Sequence, residues 1–262
     1  MPNMKTKIMG ILNVTPDSFA DGGLYTDEEQ AIKHAKQMIK DGADIIDIGG
    51  ESTRPASTPI TEEQELQRVL PIIKALKDNI TLSIDTYKPA VANAAIEAGA
   101  DMINDITGLT NPVMIQVASK HKCPVIIMHM QNTPQNMQNN PEYEGVTKEI
   151  KHFFQQQIEA AKKAGIDNLI LDPGIGFGKT LQHNLQILNN LELFKGLKYP
   201  ILIGTSRKSF IEKLTQAPVQ ERLPGTIAAN TLAIQKGATI IRVHDVKEAK
   251  QAIEITEAIN NG

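Results

Sequence analysis

Asp85, Asn104 and Asp172 each close a short apolar run, Asn13, Arg242 and His244 close others, and Lys208 follows one more. A single polar residue in such a place is commonplace, because polar side chains stop strands and cap helices. All of them together, at equivalent places, point to a site. They divide by chemistry. Asp85, Asn104 and Asp172 offer acceptors and one amide, which suits a flat heterocycle showing several N–H groups, as a guanine-like edge does. Lys208, Arg242 and His244 offer donors and positive charge, which suits ring carbonyls and phosphate. Asn13 brings a neutral oxygen, a reasonable ligand for Mg²⁺ beside phosphate. No Cys/His cluster has zinc spacing, and Ser206 and Ser209 lack a nearby base in the sequence. The residues alone describe a protein that holds an N–H-rich heterocycle next to an anionic phosphate.

The stretch LILDPGIGFGKT, residues 169–180, offers a competing chemistry. Its Gly178-Lys179-Thr180 tail ends like a P-loop, but the glycine needed five residues earlier is Pro173, which has no N–H for a phosphate. Gly174, Gly176 and Gly178 are spaced G-x-G-x-G, which also fails the dinucleotide fingerprint. The useful residue is then Asp172, with the glycines allowing a tight turn and Lys179 a solvated charge at the helix start.

The elements that must position these residues alternate along the chain. Eight short runs rich in Ile, Val and Leu read as parallel strands covered on both faces: 7–14, 43–49, 81–85, 102–105, 124–130, 168–172, 200–205 and 239–244. Helical patterns lie between them. Thr26–Glu29 and Thr61–Gln64 read as capping boxes, and further helices start near Lys88, Pro112, Gly145, Thr180, Leu223 and Asp245. Pro71 predicts a kink within the second helix. Gly42, Gly99, Gly165 and Gly237 stand where left-handed helix stops belong. Eight strand–helix units predict an α/β fold, a single (β/α)8 TIM barrel over residues 1–262 with long loops after strands 1, 2 and 5. An open doubly wound sheet is the runner-up, but no GxGxxG opens the first unit. The polar residues then gather at the carboxyl-terminal mouth, where barrel active sites lie.

Composition narrows the class. Hydrophobic residues make up 41% and charged residues 22% of the 262, an ordinary globular mix. A net charge of -3 gives no broad attraction to nucleic acid or an anionic membrane. No segment approaches the ~20 apolar residues of a membrane span. Cys123, the one cysteine, sits in an apolar run and reads as a buried small hydrophobe, and the absence of a disulfide framework fits a cytoplasmic protein.

At these residues the sequence resembles the dihydropteroate synthase family. The resemblance runs nearly end to end, through ILNVTPDSFADGG (11–23), GADIIDIGGESTRP (42–55), SIDTYKP (83–89), INDITG (103–108), DPGIGFGKT (172–180), GTSRKSFI (204–211) and RVHDV (242–246). It implies a TIM barrel that dimerises, is a sulfonamide target, and transfers the dihydropterin methylene from a diphosphate to the amine of p-aminobenzoate with Mg²⁺. It implies that Asp85, Asn104, Asp172, Gly204 and Lys208 hold the pterin, with Ile106 and Met128 lining its faces. Asn13, Arg54, Arg242 and His244 are implied for the diphosphate, and Asn13 for the metal. Thr53, Pro55, Phe177, Lys208 and Ser209 are implied to border the p-aminobenzoate pocket, and Asp17, Phe19 and Asp21 to lie on a first loop that closes over the reaction. Ala20, Ala56 and Gln131-Asn132 depart from the family's usual loop residues.

An arylamine is a weak, neutral nucleophile and gains little from a strong base. Catalysis is therefore expected to help pyrophosphate leave, along an SN1-like path. A pterin-binding methyl carrier that serves a corrinoid protein is the rival reading, since it shares the carboxylate–amide site; the STRP and RVH motifs, which provide for diphosphate and arylamine, argue against it. A sugar-phosphate barrel enzyme needs no such trio.

Overall fold

The computed structural model describes residues 5–15, 24–52 and 58–261, and of residues 24–27 the backbone alone. Eight strands form one parallel sheet: β1 Lys7–Asn13, β2 Ile45–Gly49, β3 Thr81–Asp85, β4 Met102–Asp105, β5 Val125–Met128, β6 Leu169–Asp172, β7 Leu202–Ile203 and β8 Ile240–Val243. Their order is β6-β5-β4-β3-β2-β1-β8-β7, and a bridge between Leu171 and Ile201 brings the two edges together. This is the expected (β/α)8 barrel. The helices are α1 Leu24–Asp41, α2 Glu62–Leu76, α3 Pro89–Ala98, α4 Pro112–His121, α5 Val146–Lys163, α6 Leu181–Asn189, α7 Ser209–Thr215, α8 Leu223–Gln235 and α9 Val246–Asn261. The pattern reading missed α7, a helix too short to show an apolar period.

Strand side chains alternate between two cores. One set, including Ile8, Leu12, Ile46, Ile48 and Ile84, packs outward against the helices. The other points inward, where Met9, Ile45, Met102, Ile126, Ile170, Leu202 and Ile240 make an apolar plug. On four of these strands the next inward position is polar: Asp47, Asn104, Asp172 and Arg242. Period-two alternation thus places the polar row directly above the plug.

The amino-terminal face of the barrel is held by a repeated device. Gly42, Gly99, Gly165 and Gly237 all have positive φ, between 78° and 119°, and stop their helices as expected. The polar residue two positions after three of them then secures a neighbouring strand. Asp44 accepts from Ile8 N at 2.8 Å, Asp101 from Leu82 N at 2.7 Å, and Thr239 Oγ1 from Ile201 N at 3.2 Å.

The capping box at Thr61 and Gln64 forms, with bonds of 3.2 and 3.0 Å. Helix α2 continues unbroken through Pro71. Helix α1 begins at Leu24, upstream of the capping box read at Thr26. On the carboxyl-terminal face, Lys88 ties Glu51 to Glu65 and to the Ile60 carbonyl, joining the two ends of the β2–α2 connection. The long connection after β5 is strapped to the turn after β6 by Gln138 Nε2 on Gly176 O at 2.7 Å and Tyr143 Oη on Gly178 O at 2.8 Å.

Candidate active site

Five adjacent strands, β2 to β6, set the centre of the site. Register places Asp85 beside Asn104 and Gly49, and Met128 beside Asp172. Asn104, Ile106, Met128 and Asp172 are buried, while Asn13, Asp85, Gly204, Arg242 and His244 are half-buried at the mouth. Gly49 lies between Asn13 and Asp85: a Cβ there would make ordinary contacts, 3.7 Å from Asn13 Oδ1 and 3.8 Å from Asp85 Oδ2.

Arg242 links the carboxylates. Its Nε donates to Asp47 Oδ2 and its Nη2 to Asp85 Oδ2, both at 2.6 Å. Asp47 also accepts from Asn104 Nδ2 at 2.9 Å. Asp47 lies within the apolar run IIDIG and was not singled out as a site residue. A charged residue facing into a strand otherwise covered on both faces was the signal.

The charges act on one another in a low-dielectric space. Burial raises the Asp85 carboxyl to about 7, against the pull of Arg242. Burial also raises Asp172, opposed by the Gly174 N–H that donates to its Oδ1 at 2.8 Å. Burial, then Arg242, lowers Lys208 to about 8. Burial opposes the charge on Arg242, but Asp47 and Asp85 outweigh it and the guanidinium stays protonated. Burial and Arg242 hold His244 down at about 4, a neutral imidazole at pH 7. Ser206 Oγ accepts from His244 N at 3.2 Å and lies 2.9 Å from His244 Nδ1. When the hydroxyl gives its proton to Nδ1, the neutral imidazole carries its own proton on Nε2 as a donor.

Lys208 is placed by a turn held from three sides. Thr205 Oγ1 bonds Asn230 at 2.6 Å, Arg207 N donates to Thr226 Oγ1 at 3.0 Å, and Arg207 Nε donates to Asp245 at 3.0 Å. The Lys208 ammonium lies 4.1 Å from the centroid of the Phe177 ring. Ser209 opens α7 and is exposed. Asp17, Phe19, Asp21, Thr53, Arg54 and Pro55 lie outside the described residues.

The turn after β6 corrects one expectation. Lys179 is not a solvated charge; it is 2% exposed. Its ammonium meets His129 Nδ1 at 3.1 Å, His129 O at 3.1 Å and Phe177 O at 2.8 Å, one acceptor for each proton. Burial pulls its pKa to about 7, and burial together with Lys179 pulls His129 to about 3. The lysine that mimics a P-loop clamps the Asp172–Phe177 turn onto the end of β5. Gly174 is required there: its φ is +70° and a Cβ would sit 2.0 Å from His129 O.

Fold and site together define a (β/α)8 barrel that receives a donor-rich, anionic ligand at the carboxyl ends of its strands. The profile of the family described as "Pterin binding enzyme" matches residues 9–244. Dihydropteroate synthase of Clostridium beijerinckii is 51% identical over 261 residues, which cover 97% of this chain and 94% of that protein. Among solved structures, Yersinia pestis dihydropteroate synthase in a sulfonamide drug complex is similar with a TM-score of 0.93 and 46% identity, covering 98% of this chain and 95% of that one. Xanthomonas albilineans dihydropteroate synthase with 4-aminobenzoic acid gives a TM-score of 0.93 at 42% identity, over 98% and 94%. The chain belongs to the pterin binding enzymes and, within them, to the dihydropteroate synthase family.

Proposed function

We propose that this chain transfers the 7,8-dihydropterin-6-ylmethyl group from its diphosphate to the amine of p-aminobenzoate and releases pyrophosphate, the dihydropteroate synthase reaction. The observation that carries the reading is the acceptor row Asp85, Asn104 and Asp172 set against Lys208, Arg242 and His244, in a chain that belongs to this family. The relatives' complexes with a sulfonamide and with 4-aminobenzoic acid support the arylamine substrate and sulfonamide inhibition. The same membership favours the synthase over a methyl carrier.

In this reading the acceptor row takes the pterin's ring N–H groups and exocyclic amine, and Ile106 and Met128 cover its faces. Lys208 serves both substrates, bridging the pterin carbonyl and the Phe177 wall of the arylamine pocket. Ser209, Thr53 and Pro55 border that pocket. Arg242, Arg54 and the His244 Nε2–H receive the diphosphate. The methylene C–O bond breaks with its electron pair on the diphosphate oxygen, and the electron-rich pterin carries the resulting cation. The arylamine nitrogen then forms the C–N bond and loses a proton to solvent. Arg242 and His244 stabilise the departing charge, and Asp17, Phe19 and Asp21 act on the cation from the first loop.

A Mg²⁺ ion suits the donor chemistry. Asn13 offers one neutral oxygen on a half-buried side chain at the mouth, and no group of three His, Cys, Asp or Glu residues forms a dedicated cage among the described residues. Mg²⁺ is commonly held by a protein oxygen or two, water and substrate phosphate. Asn13 would hold it, and the ion would supply positive charge to the diphosphate. A homodimer working in the cytoplasm belongs to the same reading; light scattering of the purified protein tests the dimer. The reaction itself is tested by pyrophosphate release from the dihydropterin diphosphate. Release that depends on p-aminobenzoate, with dihydropteroate formed in equal amount, is expected, and release without that dependence sinks the reading.

A further inference from the structure

Beside Asn104, in the same polar row, sits a carboxylate with no role in the reaction described above. Asp47 lies on β2, fully buried, in register with Ile11 and Ser83, while Asp85 pairs with Gly49 one inward step higher. Directly below it, Ile45 belongs to the apolar plug. A carboxylate in that position gives up its hydration and needs partners to replace it. Its Oδ2 accepts from both Asn104 Nδ2 and Arg242 Nε. Its Oδ1 is buried without a hydrogen-bond partner among the described residues.

Each bond removes a freedom. Asp47 Oδ2 accepts here, so it admits Asn104 in one amide orientation, NH₂ toward Asp47 and carbonyl oxygen on the opposite branch. That makes the amide a third acceptor beside Asp85 and Asp172; the flipped amide would meet ligand N–H groups with its own. Arg242 is held at both ends, by Asp47 at Nε and by Asp85 at Nη2. A ligand N–H that takes Asp85 competes with Nη2 and leaves the Nε bond in place.

We propose that Asp47 is a positioning residue for both halves of the site: it locks Asn104 as an acceptor, and it is the pivot on which Arg242 turns from Asp85 to the diphosphate when a pterin binds. The inference rests on the reaction proposed above. It requires the pterin and diphosphate subsites to be coupled even when no covalent bond joins their ligands.

Pyrophosphate with Mg²⁺ is titrated into the wild-type protein with and without saturating 6-hydroxymethyl-7,8-dihydropterin. The pterin is expected to tighten pyrophosphate binding about fivefold or more. In Asp47→Ala, which has no acceptor for Asn104 Nδ2 or Arg242 Nε, the coupling is expected to fall within about twofold of none, with pterin affinity down roughly tenfold. The variant's kcat falls while KM for p-aminobenzoate barely moves. A purely structural Asp47 predicts lower thermal stability with coupling, affinity and kcat per folded site unchanged, and that result overturns the proposal. Should the variant fail to fold, the wild-type titration decides: no coupling overturns it. Wild-type protein that makes no dihydropteroate overturns the reaction and this inference together, whereas turnover without coupling overturns this inference alone.

Discussion

Asp85 and Lys208 titrate near neutrality for the same reason. Both are ions withdrawn from water in a site that must also exclude water, with Asp85 raised to about 7 and Lys208 lowered to about 8. Below its pKa Asp85 becomes a neutral acid and a poorer partner for ring N–H groups. Above its pKa Lys208 loses the charge that faces the pterin carbonyl. The profile of kcat/KM for the pterin diphosphate should therefore be a narrow bell, its limbs belonging to the coupled set of groups. Lys208→Arg should move the alkaline limb upward by more than about one unit and leave the acid limb in place, because guanidinium does not deprotonate in this range. An unmoved alkaline limb would assign it elsewhere. Asp172→Asn tests the acceptor row itself. An amide offers N–H₂ at one of two positions, and losing a charge-assisted bond costs about 1.5–3 kcal/mol. Calorimetry with a phosphate-free pterin should show a loss of affinity of that size in a folded protein.

At the scale of elements, the turn between β6 and α6 carries the tightest constraint. Gly174→Ala meets both a left-handed backbone and the His129 carbonyl at 2.0 Å, whereas Gly165→Ala meets a left-handed backbone with nothing within 4 Å. The second should cost only the conformational penalty, about 1–2 kcal/mol. The first should cost at least about 3 kcal/mol and displace Asp172 as well. Urea unfolding of both variants separates the two causes, and equal losses would mean the contact relaxes freely. Lys179 is the other constraint on this turn. Its pKa is about 7 folded and near 10.5 otherwise, so between those values the unfolded chain binds more protons and this lysine's contribution to stability rises with pH. The stability of wild type relative to Lys179→Met should thus climb between pH 7 and 10, by an amount on the order of a few kcal/mol. A flat difference would show that the ammonium titrates normally.

At the scale of the whole molecule, the pterin, diphosphate and arylamine subsites share groups. Lys208 faces Phe177 while its charge acts on both Asp172 and Asp85. Filling the pterin and pyrophosphate subsites should therefore complete the arylamine pocket. A sulfonamide should bind more tightly, by about 1–3 kcal/mol, when a pterin and pyrophosphate–Mg²⁺ are present. Titrations with and without them check this, and equal affinities would mean a preformed pocket. The barrel that joins these subsites was legible in the sequence because its strands, buried on both faces, read as short runs rich in Ile, Val and Leu, and because five of them end in a polar residue whose chemistry differs from the run before it. Asp85, Asn104, Asp172, Arg242 and His244 were visible for that reason, as were the helix-stopping glycines. Asp47 and Lys179 were not. Asp47 shows only its place inside an apolar run and Lys179 is an ordinary charge within its local sequence, and what burial does to each depends on groups far along the chain: Arg242, 195 residues away, for Asp47, and His129, 50 residues away, for Lys179. Local sequence determines which face of a strand or turn a side chain occupies. Only the closed barrel decides which distant charge it meets there, because Coulombic and desolvation energies depend on distance through space, not along the chain.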